Sequence, residues 1–378
     1  MNQQIASLQA LIKQGENGLE SRIEAIANLL DVARSITPTG VTYARKDTSA
    51  FYVRNTSKSK RQKLNDNAVA LLNRIRNGEL KPEELTDENK IALAHYSGCG
   101  GGLIGSDGKK GSAYEYYTPK AVAEGVWDAV KDLGFNGGKV LDPCAGVGIF
   151  GATSPLNSTI DACELNEDSG KINSVLNDGP GYRTHIGPFE EFASAIPDNS
   201  YDAVVSNVPF GGVEDRGANR FKDSQYQDHP LESYFILKAL RKLRPGGIAA
   251  LIAPVRCVGT GNDEASRLHD MRVEASLIAE FIGAYRLPSG TFSDAQTDTV
   301  TDVIFFRKYS RPVLQKIEEL RSQNPSVLVE SNVMWETFIN GKYFTTAEGK
   351  HYIFGQEGTK RGQFGDVYAA ITAYTSPN

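Results

Sequence analysis

The chain has 378 residues, of which 40% are hydrophobic and 23% charged, and its net charge is −5. This length is enough for one large domain with appendages, or for two domains. No apolar stretch is long enough to cross a bilayer, and residues 1–10 lack the basic-then-apolar order of a signal peptide, so we expect a cytoplasmic protein without membrane contact. The four cysteines form no C-x-x-C pair and the five histidines do not cluster near them, which predicts no metal site.

Residues 1–90 are predicted to form a helical N-terminal region. Apolar residues recur at helical spacing within residues 4–33, which indicates two amphipathic helices, and a further helix is predicted over residues 65–77. Between them, residues 43–63 form a basic stretch that also contains aromatic side chains. Cations bind phosphates and aromatic rings stack on bases, so this stretch is either a DNA-contacting arm or a solvated loop.

Residues 91–310 are predicted to form the main domain, which begins with a flexible glycine-rich loop. A helix capped by Thr118 is expected to run from Pro119 to about Leu133. Strands then alternate with helices, which predicts an α/β fold with a mostly parallel sheet and an antiparallel final pair. The candidate strands are 139–141, 158–163, 182–186, 203–206, 247–253, 278–287 and 301–307. Residues 311–378 are expected to form a small appendage that starts with a helix.

A glycine-containing turn, Asp142-Pro143-Cys144-Ala145-Gly146-Val147-Gly148, follows the first predicted strand. Such a turn lets the backbone approach a ligand, and Glu164, at the end of the next strand, can accept hydrogen bonds from both ribose hydroxyls of an adenosine. Gly151 completes the spacing of an NAD or FAD site, which leaves a dinucleotide as an alternative. Because Asp142 would repel a pyrophosphate and suits the ammonium of a methionine, S-adenosylmethionine is the favoured ligand.

The string Asn207-Val208-Pro209-Phe210 follows the fourth predicted strand and is expected at the same sheet edge. The side-chain oxygen of Asn207 and the carbonyl of Val208 can accept both N–H bonds of an amino group whose lone pair is delocalised into a ring or carbonyl. Phe210 would stack on an extruded base, and Pro209 would stiffen the turn. An ordinary exit from a strand into a loop is the alternative.

In the order and spacing of these motifs, residues 116–308 resemble class I S-adenosylmethionine-dependent amino methyltransferases, in particular N6-adenine DNA methyltransferases of the gamma motif order. The segment Tyr117-Thr118-Pro119 resembles the leading cofactor motif, which implies that Thr118 lies near the methionine. The string at 207–210 resembles the Asn-Pro-Pro-Phe/Tyr tetrapeptide. Residues 286–292 resemble the late motif, which implies that Phe292 packs on the target base. The resemblance implies a Rossmann-like seven-stranded sheet.

Two positions depart from the family pattern. Val208 stands where the family usually has proline, although its carbonyl is retained. Gly187-Pro188-Phe189 occupies the place of an acidic residue that contacts the cofactor's adenine, and Phe189 would stack on that ring instead. The glycine-rich loop, the catalytic string and residues 243–247 together resemble the methylase segment of large phage and mobile-element helicase-methylase (antirestriction) proteins, which implies a partner or fused helicase-like module.

A polar loop between residues 212 and 230 carries the cations Arg216, Arg220 and Lys222. We interpret it as a lid that binds DNA over the catalytic turn, with a mobile surface insertion as the alternative. The sequence therefore predicts methyl transfer from S-adenosylmethionine to the N6 amino group of adenine in DNA, in a phage or mobile-element context. The alternatives are methylation of RNA or of a glutamine amide, and an inactive module that binds cofactor or DNA.

Overall fold

The computed structural model describes residues 57–109, 111, 115–211, 214–259, 268–287, 290–292, 299–324, 338–341 and 343. The two helices predicted within residues 4–33, the basic stretch up to residue 56 and most of the C-terminal appendage lie outside these residues. Within the described part of the chain, none of the helices combines the length and the apolar character needed to cross a membrane.

Three α-helices precede the first strand, and strands then alternate with helices, as the sequence predicts. The first helix begins at Lys58 and not at residue 65, so residues 58–63 of the basic stretch are helical, and the helix Asp87–Ala94 was not predicted. The elements, in chain order, are α1 (Lys58–Arg76), α2 (Asp87–Ala94), α3 (Lys120–Asp132), β1 (Gly138–Asp142), α4 (Ile149–Ala152), β2 (Ser158–Glu164), α5 (Glu167–Asn177), β3 (Tyr182–Ile186), α6 (Phe189–Ala195), β4 (Tyr201–Asn207), α7 (Leu231–Lys242), β5 (Leu243–Pro254), α8 (His269–Ile278), β6 (Ala279–Arg286), β7 (Thr301–Lys308) and α9 (Arg311–Gln323).

The strands form one seven-stranded sheet in the order β3-β2-β1-β4-β5-β7-β6. Strands β1 to β5 pair in parallel, whereas β7 is antiparallel to both of its neighbours. This arrangement confirms the predicted fold class, a Rossmann-like α/β sheet with an antiparallel last strand. The strand order reverses between β1 and β4, and loops that leave such a switch point enclose the crevice in which α/β proteins bind ligands.

The sheet is buried on both faces, because side chains of consecutive strand residues point to opposite sides. Val140 packs in the core cluster that contains Val126 and Trp127 of α3, whereas Leu141 packs in the cluster that contains Ile236 and Leu240 of α7. The molecule therefore has three layers, and the short apolar runs of the central strands reflect burial on two sides.

Helices α1 and α2 pack on the sheet domain through apolar side chains. Leu72 and Leu93 share a cluster with Val147 of the glycine turn and Ile172 of α5. Helix α2 spans the predicted boundary at residue 90, and α9 begins at the predicted boundary at residue 311. The division of the chain into three segments stays a prediction.

The glycine-rich loop is bound on several sides. Asn65 of α1 donates to the carbonyl of Gly98 at 2.6 Å and accepts from the N–H of Ser97, and the guanidinium of Arg61 donates to the Ser97 hydroxyl and to the carbonyl of Gly100. Arg61 is 3% exposed, so this cation of the basic stretch is buried and positions the loop. A Cβ atom at Gly100 would overlap the backbone carbonyl of Glu115, so glycine permits close packing here.

Two local predictions are corrected by the structure. Thr118 does not cap α3: the N-cap residue is Pro119, and no side chain makes a capping hydrogen bond there. Strand β5 begins at Leu243 and not at residue 247, because Leu243 already pairs with Tyr201 before the register shifts across the intervening Pro-Gly-Gly segment. A shift in strand register of this kind cannot be read from the alternation of apolar and polar residues that otherwise indicates a strand.

Candidate active site

A cavity of about 430 Å³ lies at the carboxyl ends of β1, β2 and β4. Its walls come from the loops after these strands and from the segment before α3, and the main lining segments are 115–118, 144–147, 164–166 and 207–210. The structure thus brings together the glycine turn, Glu164, Thr118 and the predicted catalytic string, which are scattered over about ninety residues of sequence. The parallel sheet places the glycine turn, Glu164 and the catalytic string at one edge, and Thr118 joins them from the segment before α3.

The glycine turn approaches its neighbours too closely for a side chain. Gly146 and Gly148 have φ angles of 53° and 91°, in the left-handed region that favours glycine. A Cβ atom at Gly146 would lie 3.0 Å from the ring of Tyr117, and one at Gly148 would overlap Asn173. Ala145 is held by a hydrogen bond from its N–H to the carbonyl of Cys163, at 2.9 Å. The turn therefore forms a closely packed part of the cavity wall.

Glu164 lines the cavity and also holds the glycine turn. Its Oε2 accepts from the N–H of Gly146 and its Oε1 from the N–H of Asn166, both at 2.7 Å. Burial raises its pKa to about 7, although both backbone hydrogen bonds oppose this shift. A carboxylate has about four acceptor sites, so each oxygen can accept a second donor, as two ribose hydroxyls would require.

Asp142 is buried at the end of β1 and connects it to β4. Its Oδ1 accepts from the hydroxyl of Ser206 at 2.7 Å and from the N–H of Cys144 at 3.4 Å. Its Oδ2 is buried and has no hydrogen-bond partner in the described part of the chain. Burial raises the pKa of Asp142 to about 7. A buried acceptor without a donor destabilises the protein, so this oxygen fits a bound proton or a ligand ammonium. Asp142 is 1% exposed and is not among the residues that line the cavity, so its contact with a ligand stays a prediction.

Asn207 ends β4 and lines the cavity with an oriented amide. Its Nδ2 donates to the carbonyl of Tyr116 at 3.1 Å, whereas its buried Oδ1 accepts no hydrogen bond from the described residues. The next residue is fixed as well, because the N–H of Val208 donates to the carbonyl of Ile252 at 3.0 Å and extends the pairing of β4 with β5. The turn therefore presents one oriented side-chain acceptor from a rigid backbone.

Three aromatic rings pack beside this turn. The ring of Tyr116 lies 5.7 Å from that of Phe210 and 5.9 Å from that of Phe292, in tilted geometries. Phe210 is 7% exposed and Phe292 is 2% exposed. Pro209, between Val208 and Phe210, also lines the cavity and is partly exposed. The structure brings Phe210 and Phe292 to the same aromatic group, and their contacts with a target base stay predictions.

Phe189 does not line the cavity. It is 2% exposed, and its ring packs 5.0 Å from that of Phe235 of α7, in the core cluster between the sheet and this helix. Leu165 lines the cavity with an apolar side chain and is 62% exposed, so it offers a surface to a flat ligand. Sequence reasoning missed Leu165, although it directly follows Glu164 at the end of β2.

The predicted lid borders the cavity, since Asp215 of the 3-10 segment Glu214–Lys222 lines it. Lys222 forms an ion pair with Glu191 of α6 at 2.8 Å, and the guanidinium of Arg220 lies 4.6 Å from the ring centroid of Phe221. The backbone of Arg216 lies in the same segment. Neither Arg220 nor Lys222 lines the cavity, and the contact of Arg216, Arg220 and Lys222 with DNA stays a prediction.

Glu115 is a second residue that sequence reasoning missed. Its carboxylate lines the cavity, accepts from the N–H of Cys99 at 2.8 Å and accepts from the hydroxyl of Tyr117 at 3.2 Å. The Tyr117 hydroxyl is also 2.5 Å from Oγ of Ser169. Burial raises the pKa of Glu115 above its usual range. Glu115 thus links the glycine-rich loop to the wall of the cavity, and its only sequence signal is its place before the Tyr-Thr-Pro motif.

Comparison with known families identifies the class of protein. Residues 106–318 match the family model "N-6 DNA Methylase". The chain belongs to this family. This membership confirms the resemblance found in the motifs, and it makes the cavity at the carboxyl ends of β1, β2 and β4 the candidate active site of an N6 DNA methylase.

Two curated relatives are larger than this chain. The chain is 40% identical over 298 residues to the "Defense against restriction protein B" of Escherichia phage P1, an alignment that covers 79% of the chain and 12% of that protein. It is 24% identical to the "Type I restriction enzyme EcoEI methylase subunit" of Escherichia coli, over 52% of the chain and 43% of that subunit. The chain thus spans less than half the length of either relative.

Among solved structures, the chain is similar to the type I restriction-modification methyltransferase subunit of Streptococcus thermophilus. The sequence identity is 15% and the TM-score is 0.42, with 84% of this chain and 81% of that subunit covered.

Proposed function

We propose that this chain transfers a methyl group from S-adenosylmethionine to the N6 amino group of adenine in DNA. The observation that carries the proposal is the amide of Asn207, whose Nδ2 is held by the carbonyl of Tyr116 and whose buried Oδ1 has no donor in the described part of the chain. An amino group at the cavity would supply that donor. Membership of the N-6 DNA methylase family supports DNA as the substrate.

The residues of the cavity fit this cofactor. Glu164 would bind the ribose, the closely packed turn at Gly146 and Gly148 would lie against the ligand, and Leu165 would pack on the adenine. Thr118 lines the cavity next to the turn, where the methionine is expected. Asp142 lies outside the cavity lining, at the start of the turn, and its buried Oδ2 has the unsatisfied acceptor that the ammonium would use. When bound, the cofactor supplies a methyl group made electrophilic by its sulfonium.

The chain's own part in the chemistry is to orient and activate a poor nucleophile. The lone pair of an exocyclic adenine amine is delocalised into the ring. When Oδ1 of Asn207 and the carbonyl of Val208 accept its two N–H groups, the lone pair becomes localised on nitrogen and its direction is fixed. The base has to leave the DNA stack to enter the cavity, where the ring of Phe210 offers it a stacking surface.

Cations beside the turn would bind the DNA backbone. Arg216, Arg220 and Lys222 lie on the segment that follows the catalytic string, and phosphate contacts from such a segment would hold the strand while the base is extruded. A phage or mobile-element context is supported by the name of the phage P1 relative. That relative is much longer than this chain, which supports a partner or fused module, and a helicase-like one is our proposal.

Nucleoside mass spectrometry tests the proposed reaction. DNA free of methylation, single-stranded and double-stranded, is incubated with S-adenosylmethionine and either the wild type or Asn207→Ala. We expect N6-methyladenine with the wild type only. Equal transfer by both proteins would refute the role of Asn207, whereas measurable cofactor binding without any methyladenine would favour an RNA or glutamine substrate, or a non-catalytic module.

A further inference from the structure

The wall of the active-site cavity is acidic. Glu115 and Glu164 contribute carboxylates to it, and Asp215 of the neighbouring 3-10 segment contributes a third. Among the described residues that line this cavity there is no lysine, arginine or histidine. The two glutamates are near enough to each other that the charge of Glu115 raises the pKa of Glu164. The described wall of the cavity therefore favours positive charge in a ligand.

The surroundings of Glu115 support its ionised form. Its Oε2 accepts from the N–H of Cys99 at 2.8 Å and its Oε1 from the hydroxyl of Tyr117 at 3.2 Å. Burial raises the pKa of Glu115, whereas both hydrogen bonds and the charge of Arg61 oppose this shift. Arg61 is itself buried, holds the glycine-rich loop and does not line the cavity. A positively charged ligand would lower the pKa of Glu115 further, so a cationic ligand goes with an ionised Glu115.

The cavity is small enough for the charge of Glu115 to act on any part of a ligand in it. A sphere of 430 Å³ is about 9 Å across. Physiological salt screens exposed charges over about 8 Å, and charges inside a cavity are screened less than exposed ones. At an effective dielectric constant of about 20, the attraction between two unit charges across this width corresponds to roughly tenfold in affinity. One charge more or less on the ligand should therefore be measurable as a difference in Kd.

The proposed reaction changes the charge of the bound ligand. S-adenosylmethionine carries a sulfonium, and methyl transfer breaks its S–CH3 bond while a new N–CH3 bond forms on the amine. The electron pair of the broken bond stays on sulfur, and the amine releases one proton to solvent. The product, S-adenosylhomocysteine, is therefore a neutral thioether where the substrate was a cation, and the rest of the molecule is unchanged.

We propose that Glu115 is a specificity-determining residue, which makes the cavity bind S-adenosylmethionine more tightly than the product S-adenosylhomocysteine. The inference rests on the proposed function and deepens it by naming a residue that separates substrate from product at the same site. Glu164 is less selective, because the ribose hydroxyls that it is expected to bind are present in both ligands. Methyl transfer itself then weakens the binding of the spent cofactor and favours its release.

The experiment measures binding by calorimetry, with the full chain and without DNA. Three ligands are compared: S-adenosylmethionine, S-adenosylhomocysteine, and sinefungin, an analogue in which a protonated amine takes the place of the sulfonium methyl group. We expect the wild type to bind both cationic ligands about fivefold or more tightly than the thioether. Glu115→Gln should reduce this preference about threefold or more, because it removes the charge and keeps the size of the side chain. Glu115→Asp should keep the preference, because it keeps the charge.

A purely structural role of Glu115 predicts a different pattern. A glutamine carries an NH2 donor in place of one oxygen, so Glu115→Gln also disturbs the hydrogen bond to Cys99 or to Tyr117. Such a disturbance would weaken all three ligands alike and leave the preference unchanged, whereas loss of a charge weakens the two cations alone. If Glu115→Gln fails to fold, Glu115→Ala makes the same comparison, because it removes the charge without introducing a donor.

The matched control is Glu167→Gln. Glu167 directly follows Asn166 of the cavity wall, but its side chain is 74% exposed, pairs with Arg76 and does not line the cavity. Solvent screens this charge, so its removal should leave the preference unchanged. The inference alone is overturned if the wild type binds all three ligands equally, or if Glu115→Gln keeps the wild-type preference. A wild type that binds none of the three ligands would overturn the inference together with the proposed function.

Discussion

Asn207→Ala is expected to remove catalysis while leaving the fold intact. The substitution breaks the 3.1 Å hydrogen bond to the carbonyl of Tyr116, which costs about 1–3 kcal/mol if that carbonyl stays without a donor. It also removes the buried Oδ1, whose missing partner costs a similar 1–3 kcal/mol. The two effects oppose each other, so we expect the melting temperature to move by only a few degrees.

The catalytic effect has no such compensation. Removal of one oriented group that interacts with the developing charge of a transition state lowers kcat by roughly 10²–10³, or about 2.7–4 kcal/mol. Asn207→Asp is the informative companion, because it keeps the shape and an acceptor oxygen but loses the donor to the carbonyl of Tyr116. We expect both variants to methylate at least a hundredfold more slowly than the wild type in single-turnover experiments, with cofactor affinity within threefold of the wild type by calorimetry. A kcat within threefold of the wild type for Asn207→Ala would contradict the assignment.

Three further substitutions test the cavity. Gly148 has a φ angle of 91° and no space for a Cβ atom, so Gly148→Ala should lower the melting temperature by several degrees and weaken cofactor binding. An unchanged Kd for the cofactor would refute a role of the glycine turn in cofactor binding. Val208→Pro removes the N–H that donates to the carbonyl of Ile252, so the free energy of unfolding, measured with denaturant, should fall by about 1–3 kcal/mol. A variant as stable as the wild type would contradict this expectation. The pKa of Glu164 near 7 means that protonation competes with cofactor binding as the pH falls. The cofactor Kd should rise roughly fivefold from pH 7 to 6, with a shallower profile for Glu164→Gln.

The arrangement of strands and the assembly of the main motifs were predictable from the sequence. Short apolar runs separated by helical patterns indicate a parallel sheet, and Asp142 and Asn207 both follow such runs, so the topology alone places them at one edge. The ends of elements were less predictable. The start of β5 at Leu243 depends on pairing with Tyr201, and Thr118 lies in the cavity wall where a helix cap was expected, because tertiary contacts override local capping preferences.

Buried charges could not be predicted. Arg61 belongs to a basic run that has the composition of a solvated surface, yet its partner Ser97 is 36 residues away and only the folded chain brings the two together.

Phe189 was expected beside the cofactor because of its place in the motif order, but the side chain packs among aromatic residues of α7. A motif fixes the path of the backbone, whereas the direction of a side chain depends on its packing neighbours.

The need of buried backbone N–H groups for acceptors explains why acidic residues surround this site. Loops that leave the carboxyl ends of strands carry backbone N–H groups without a ladder partner, and buried donors of this kind require acceptors. Asp142, Glu164 and Glu232 of α7 each accept from such a donor, namely the N–H groups of Cys144, of Gly146 and Asn166, and of Gly211. Glu115 accepts in the same way from the N–H of Cys99, in the glycine-rich loop between α2 and α3. Because a carboxylate has acceptor sites on both oxygens, it can hold a loop with one oxygen and bind a second donor with the other, whereas a glutamine or asparagine carries an NH2 donor in place of one oxygen. Amide substitutions at these four positions should therefore impair ligand-dependent steps more than they impair folding.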